Sequence, residues 1–269
     1  MVLVKKEVAN MNKFSLIMKK NSKSTIIGKK IKNELIANEW EYDEENPSLV
    51  ICVGGDGTLL YAVHRYMQKL GKIHFTAIHT GTLGFFTDYT EDEVDDCIND
   101  ILNKKPTIIE SNLLTVHING DDSHPYYALN EVRIENVIKT QILDIYIDDE
   151  YFQTFRGTGM CISTQAGSTA YNRSLKGAVV DTDLQIMQMS EITGIHHSQY
   201  RSLGVPLILQ QKRTINIKSA TFDSAILCYD HLHTELKGAH ELTITLSPLK
   251  VKFARYKKYS YIKRLKNLY

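Results

Sequence analysis

Two rhythms of apolar residues divide this chain. In the first third, short apolar runs alternate with longer stretches that are apolar on one side only. The run 14–18 predicts a strand, and 22–38 predicts a helix with Ile26, Ile27, Ile31 and Leu35 on one side. Residues 49–53 read Leu-Val-Ile-Cys-Val, with no polar position, as in a strand buried on both faces. A helix over 59–70 and a strand over 75–78 follow. Thr90 and Glu93 have capping-box spacing, and the helix they open carries Val94, Ile98, Ile101 and Leu102 as its buried stripe, with acids in its first turn. Strand and helix in alternation predict a parallel sheet with helices packed over it.

Beyond Pro106 the period shortens to that of strands. Strands are predicted over 113–118, 142–147, 151–155, 160–163, 207–209, 215–217, 225–228, 242–246 and 251–253, with a hairpin turn at Asp148-Asp149-Glu150. Only 183–192 has a helical look. The expected fold is an α/β N-terminal domain with a parallel sheet, plus a mostly β, layered or sandwich-like C-terminal domain. The corresponding boundaries are 11–107, 108–250 and a C-terminal segment 251–269.

Composition narrows the function classes. The 269 residues carry 32 Lys and Arg against 31 Asp and Glu, a formal charge of +1, so no global field points to nucleic acid or a membrane surface. Cys52, Cys97, Cys161 and Cys228 are far apart and three lie in apolar runs, as expected of core thiols in a reducing, cytoplasmic setting. No apolar stretch approaches the roughly 20 residues of a membrane span. Residues 1–10 are no signal peptide, because Lys5, Lys6 and Glu7 interrupt any apolar core. The histidines form no cluster with cysteine, and the neighbours His196 and His197 lack the further ligands an ion needs. No metal site is expected.

Four segments carry candidate chemistry. Gly54-Gly55-Asp56-Gly57-Thr58 follows the apolar run 49–53, and its glycines let backbone N–H groups approach a ligand. Asp56 is out of place beside phosphate unless a base is needed there; otherwise it is a turn residue. His79-Thr80-Gly81-Thr82-Leu83-Gly84-Phe85 follows the next parallel strand and shares its carboxyl edge, where ligands of open α/β sheets bind. Asn130-Glu131 sets an amide beside a carboxylate, suited to an adenine edge and ribose hydroxyls or, as the commoner case for such a pair taken singly, to a satisfied polar pair. Gly167-Ser168-Thr169-Ala170-Tyr171-Asn172 offers hydroxyls and an aromatic face, or a capped turn.

In combination and order these segments, with Phe155-Arg156-Gly157-Thr158-Gly159, closely resemble the NAD kinase family from about Phe14 to the C-terminus. The glycine loop alone is shared with lipid kinases and phosphofructokinases; Asn130-Glu131 together with Ser168-Thr169-Ala170-Tyr171 is specific. The resemblance implies transfer of a phosphoryl group from ATP or polyphosphate to the 2′-hydroxyl of the adenosine ribose of NAD+, giving NADP+. It assigns Asp56 as the catalytic base. Gly55, Gly57 and Thr58 become the loop beside dinucleotide and phosphates, Phe85 an aromatic beside the adenine, and Asn130 and Glu131 the pair holding adenine and ribose. Arg156, Thr158, Thr169, Ala170, Tyr171, Ser174, Thr193 and His231 become further dinucleotide contacts, within a β-rich dinucleotide-binding domain. It also implies Mg2+ carried by ATP, a homodimer or homotetramer, and a basic, aromatic C-terminal segment that returns to the first domain rather than binding nucleic acid.

The chain departs from the family at Thr158, where an acid is usual, and at Gln165-Ala166. Gly157 and Gly159 are expected to leave room for a larger side chain between them. Residues up to about Asn10 are read as having no counterpart in the family, with Met11 a candidate start. Two other functions stand beside this reading: a lipid kinase with the same glycine loop, which needs an apolar pocket, and a non-catalytic dinucleotide-binding protein, which would not need Asp56.

Overall fold

The computed structural model describes residues 12–81, 84–196, 201–258 and 260–268. Residues 1–11, Thr82, Leu83 and His197 therefore lie outside the described residues. The chain forms two units: Met1–Glu110 with Lys250–Tyr269, and Ser111–Leu249.

The first unit contains β1 (Lys13–Met18), α1 (Ser22–Ala37), β2 (Glu41–Tyr42), β3 (Leu49–Val53), α2 (Asp56–Arg65), β4 (His74–His79), β5 (Tyr89–Thr90) and α3 (Val94–Asn103). Its parallel strands run in the order β2-β1-β3-β4, with Phe14 opposite Leu49 and Ile51 opposite Thr76. Every residue of β3 is buried, which is why its sequence shows no alternation. On α1 the buried positions are Ser24, Gly28, Ile31 and Leu35, a stripe of helical spacing. Ile26 lies off that stripe and is exposed, against expectation. Asn21 caps the helix, its Oδ1 accepting from the Ser24 N–H at 2.7 Å. Helix α2 stops at Arg65, five residues early, and Met67–Lys72 continues as a 3-10 turn. Tyr66 fixes that break: its hydroxyl hydrogen-bonds Ser15 Oγ and donates to Glu44 O, both at 2.8 Å. The Thr90–Glu93 capping box is present.

In the sheet order, α1 leads away from β1 to one side and α2 away from β3 to the other. The glycine loop thus lies where the connections diverge, at the carboxyl ends of β1 and β3, the place where open α/β sheets bind ligands.

The second unit is mostly antiparallel. It is built from β6 (Thr107–Ile118), whose first residues belong to the first unit, β7 (Tyr126–Ala128), β8 (Glu131–Glu135), β9 (Gln141–Ile147), β10 (Glu150–Thr164), the short helix α4 (Tyr171–Ser174), β11 (Ile186–Gly194), β12 (Leu207–Gln210), β13 (Ile215–Lys218), β14 (Ile226–Tyr229), β15 (Leu232–Glu235) and β16 (Glu241–Arg255), whose last residues belong to the first unit. Helix α5 (Tyr261–Leu268) closes the chain, in the first unit. Strand β10 is the shared element: its first half pairs with β9, its second half with β8 and β11. The ribbons β15-β14-β8 and β9-β13-β16 part there and enclose one core containing Val132, Ile134, Leu143, Phe155, Ile215 and Leu242. Asp148 and Asp149 turn the β9–β10 hairpin with φ of 52° and 66°, the primed turn that suits the twist of paired strands.

Four expectations are corrected. Residues 183–192 are not helical, because β11 occupies most of them and pairs with β10. Its period is disguised by buried polar residues that find partners: Gln188 bonds both the N–H and the carbonyl of Ala178, and Ser190 Oγ donates to Asn172 Oδ1 at 2.7 Å. Strands 151–155 and 160–163 are one strand. The glycines between them are not a break but points of close approach: a Cβ on Gly159 would lie 1.9 Å from Ile134 O, and one on Gly157 2.5 Å from Thr193 O. Gly157 and Gly159 therefore leave no spare room. Strands 242–246 and 251–253 likewise merge into β16, with Pro248 exposed along it.

Candidate functional site

In the first unit, Gly55 precedes α2 with an extended backbone, and Asp56 is the first helical residue. Both carboxylate oxygens of Asp56 accept main-chain hydrogen bonds, Oδ2 from the Phe85 N–H at 2.6 Å and Oδ1 from the Phe86 N–H at 3.0 Å. Each oxygen keeps a lone pair for another donor. Gly84 is required for this approach, since a Cβ there would sit 2.2 Å from Asp56 Oδ1. Gly54 is constrained in the same way, since a Cβ there would sit 2.1 Å from Thr58 Oγ1. Gly57 is exposed and Asp56 and Thr58 are half-buried. Phe85 is 8% exposed and its ring packs edge-on against Tyr261, so what the residue offers Asp56 is its backbone N–H.

In the second unit, Asn130 and Glu131 stand where β7 turns into β8. Thr164 N–H donates to Asn130 O at 2.9 Å, and Thr164 Oγ1 donates to Leu129 O at 2.6 Å. From 100 residues further on, Asp230 takes the N–H groups of Leu129 and Asn130 at 2.8 and 2.7 Å. The side chains are buried, and among the described residues Asn130 Oδ1 and Glu131 Oε2 have no hydrogen-bond partner. Burial, then the charge of Asp230, pushes the Glu131 carboxyl up to about 7; Arg133 and the Tyr171 N–H pull the other way.

The hydroxyl-rich loop is packed against this pair. A Cβ on Gly167 would lie 1.9 Å from Asn130 O. The Tyr171 ring covers the Arg133 guanidinium at 4.2 Å, and Arg133 pairs with Glu135 at 2.9 Å. Thr169 and Ala170 are half-buried in the same turn. His231 is exposed beside Asp230, which itself takes a left-handed φ of 52° between β14 and β15. The structure thus gathers Asn130, Glu131, Thr169, Ala170, Tyr171 and His231 around one end of β8.

Arg156, Thr158 and Thr193 form a separate group on β10 and β11. Arg156 O accepts the Ile195 N–H at 2.8 Å, and Thr193 is exposed with a left-handed φ of 49°. Thr158 O accepts the Asn136 N–H, which puts Thr158 just past the far end of β8, roughly 13 Å or more of strand from Glu131. Ser174 is exposed at the end of α4.

Sequence reasoning did not single out Asp230, Arg133, Asp88 or the arginines of the C-terminal segment. Asp230 had one signal, a carboxylate in the turn beside His231, but its partners 100 residues away are a matter of folding. The four cysteines are free and buried. Among the described residues no group of three or more His, Cys, Asp or Glu is placed to hold an ion, and no helix is long and apolar enough to cross a membrane.

Comparison with known proteins agrees with this construction. Residues 1–106 match the ATP-NAD kinase N-terminal domain and 129–256 the ATP-NAD kinase C-terminal domain. The first match takes in residues 1–10, which the sequence reading set outside the resemblance. An NAD kinase of Geobacillus stearothermophilus is 36% identical over 257 residues, covering 94% of this chain and 95% of that one. A yeast NADH kinase solved with NADH shares the fold with a TM-score of 0.83 at 20% identity, over 97% of this chain and 88% of that one. An Archaeoglobus fulgidus NAD kinase solved with ATP gives 0.74 at 22% identity, over 95% of this chain and 96% of that one. The matched domains and relatives define a phosphotransferase, a kinase with an N-terminal and a C-terminal domain. The chain belongs to the NAD kinase family.

Proposed function

We propose that the chain phosphorylates the 2′-hydroxyl of the adenosine ribose of NAD+ with ATP, giving NADP+ and ADP. Family membership supports NAD+ over a lipid acceptor, and the ATP and NADH bound by the two solved neighbours support the substrate pair. One observation carries the residue roles: Asp56 presents a carboxylate with lone pairs remaining at the switch point, held by two backbone donors. A non-catalytic dinucleotide-binding protein has no use for a base held in this way.

In the reaction the ribose O–H gives its proton to Asp56, the oxygen attacks the terminal phosphorus, and the bond from that phosphorus to the leaving ADP oxygen breaks. A divalent ion such as Mg2+ would enter as part of the ATP substrate and offset the charge of its phosphates. Asn130 Oδ1 and Glu131 Oε2 are acceptors without donors, a burial cost of about 1–3 kcal/mol each that a ligand would relieve. Adenine brings an exocyclic amine and ribose its hydroxyls, so both fit. Thr169, Ala170 and Tyr171 wall the same end of β8, with His231 beside it. Arg156, Thr158 and Thr193 serve the rest of the dinucleotide, Ser174 lies at the rim, and Gly55, Gly57 and Thr58 take the phosphates. The buried free thiols support a cytoplasmic setting, and the exposed Val137 and Ile138 support a homodimer or homotetramer.

The test is incubation with ATP, Mg2+ and NAD+, with NADP+ read by an NADP-specific dehydrogenase. Parallel reactions offer polyphosphate as donor or diacylglycerol as acceptor. NADP+ formed with ATP supports the proposal, and phosphorylated lipid without NADP+ overturns it.

A further inference from the structure

The basic, aromatic C-terminal segment has no part in the roles above, yet its hydrogen bonds lead to Asp56. The two N–H groups that hold the Asp56 carboxylate belong to the peptide units Gly84–Phe85 and Phe85–Phe86. The carbonyls of those same two units, Gly84 O and Phe85 O, accept from Arg264 Nη1 at 3.4 and 2.8 Å. The guanidinium therefore lies on the far side of both peptides from the carboxylate they serve. Such chains are cooperative: a cation on a peptide oxygen polarises the N–H opposite.

The rest of the segment secures that geometry. Arg264 Nη2 also pairs with Asp88, whose other oxygen takes Arg255 Nη1 at 2.6 Å, and Arg255 Nη1 reaches Phe86 O at 2.8 Å. The Asp88 and Arg255 side chains are each 4% exposed and Arg264 is 12% exposed, so these bonds are poorly screened. Tyr261 packs edge-on to Phe85 with centroids 5.6 Å apart, and Phe253 stacks on Phe86 at 5.4 Å. Backbone and ring of both residues that orient Asp56 are held by residues 253–264.

We propose that Arg264 is a positioning residue for the phosphoryl transfer, fixing the Asp56 carboxylate through the peptide units of Gly84–Phe86, with Asp88 and Arg255 as its anchor. The inference rests on Asp56 being the proton acceptor. Arg264 touches no reacting atom; its effect falls on the chemical step and not on substrate affinity.

The experiment compares kcat and the KM values for NAD+ and ATP in full-length parent, Arg264→Met, Arg264→Lys, Asp56→Asn and the double variant Asp56→Asn with Arg264→Met. Arg264→Met leaves Asp88 paired with Arg255. Its kcat is expected to fall between about tenfold and a hundredfold, the scale of misplacing a catalytic group, with both KM values within about twofold. Lysine keeps the charge but cannot span two carbonyls, so Arg264→Lys falls between parent and Met. In the Asp56→Asn background the Arg264→Met loss shrinks to within about twofold, because the group it positions is gone. A parental kcat in Arg264→Met, a loss carried by KM, or a loss undiminished without Asp56 would each overturn the proposal. Should Arg264→Met not fold, Arg264→Lys decides alone: reduced kcat at parental KM supports it, parental kcat overturns it. If Asp56→Asn itself turns over like the parent, the assignment of the base fails instead.

Discussion

Asp56 and Glu131 are both carboxylates beside a glycine-bearing loop, one in each unit, and they are held in opposite ways. Asp56 is half-buried, and both its oxygens already accept from backbone N–H groups. Glu131 is 6% exposed, and one of its oxygens has no partner among the described residues. The first is satisfied and oriented before any substrate arrives, as a base must be for a proton to move at once. The second stores a cost that a donor-bearing ligand would relieve, as expected of a recognition group. In the proposed assignment, the physical state of each carboxylate, more than its residue type, separates the base from the binding group.

The largest effect that would break this contrast is expected at Asp56. Asp56→Asn should lower kcat by about 10²–10⁴ with NAD+ affinity unchanged, since an amide cannot take the proton. The amide keeps one acceptor for Phe85 or Phe86 and loses the other, so the thermal midpoint should fall only slightly. Turnover within about twofold of the parent would remove Asp56 from the mechanism.

Next in size are Asn130→Ala and Glu131→Ala. Each should weaken NAD+ binding by roughly tenfold to a hundredfold, the worth of a hydrogen bond of about 1.5–3 kcal/mol, with little change in KM for ATP. Isothermal titration with NAD+ reads this directly, and unchanged affinity in both would withdraw them from the dinucleotide site.

The pH dependence of stability sharpens the same point. Glu131 has a folded pKa of about 7 against an ordinary 4.5, so between those values the native state binds more protons than the unfolded one. Its contribution is fully present below about 4.5 and is lost as pH rises through about 7. Glu131→Gln lacks that loss. Without nucleotide, its thermal midpoint relative to the parent should be higher at pH 8 than at pH 5; a difference constant with pH would show that Glu131 does not titrate in this range.

The smallest expected effect is at Thr158. Because Gly157 and Gly159 are packed tight, Thr158→Asp gains no space from them, but its side chain is half-exposed and the change should fold. A charged acceptor makes bonds about twice as strong as a neutral one, a gain of about 1 kcal/mol, so KM for NAD+ should fall by roughly fivefold. A rise, at unchanged thermal stability, would show that its neighbours have no donor for a carboxylate.

What was legible in the sequence depended on whether the physics was local. The buried run Leu49–Val53, the Thr90–Glu93 capping box and the turn at Asp148-Asp149 are properties of adjacent residues, and each is present as read. The α/β unit followed by a mostly β one also followed from period alone. Strand β11 was misread because Gln188 and Ser190, polar in sequence, are satisfied by Ala178 and Asn172, which no pattern connects to them. Glycines 157 and 159 were read as space because a sequence does not show a carbonyl 1.9 Å from where a Cβ would go. The candidate site divides likewise. Its loops were visible as motifs, whereas Asp230 under Leu129-Asn130 and Arg264 behind Phe85 act across 100 and 179 residues of chain.

The contrast between the two carboxylates is tested most directly by measuring NAD+ affinity and kcat at saturating NAD+ in Asp56→Asn and Glu131→Ala side by side. The account predicts a crossed result. Asp56→Asn binds NAD+ like the parent and barely turns over; Glu131→Ala binds weakly and, once saturated, turns over within a few-fold of the parent. Loss of binding in Asp56→Asn together with loss of saturated turnover in Glu131→Ala would contradict it.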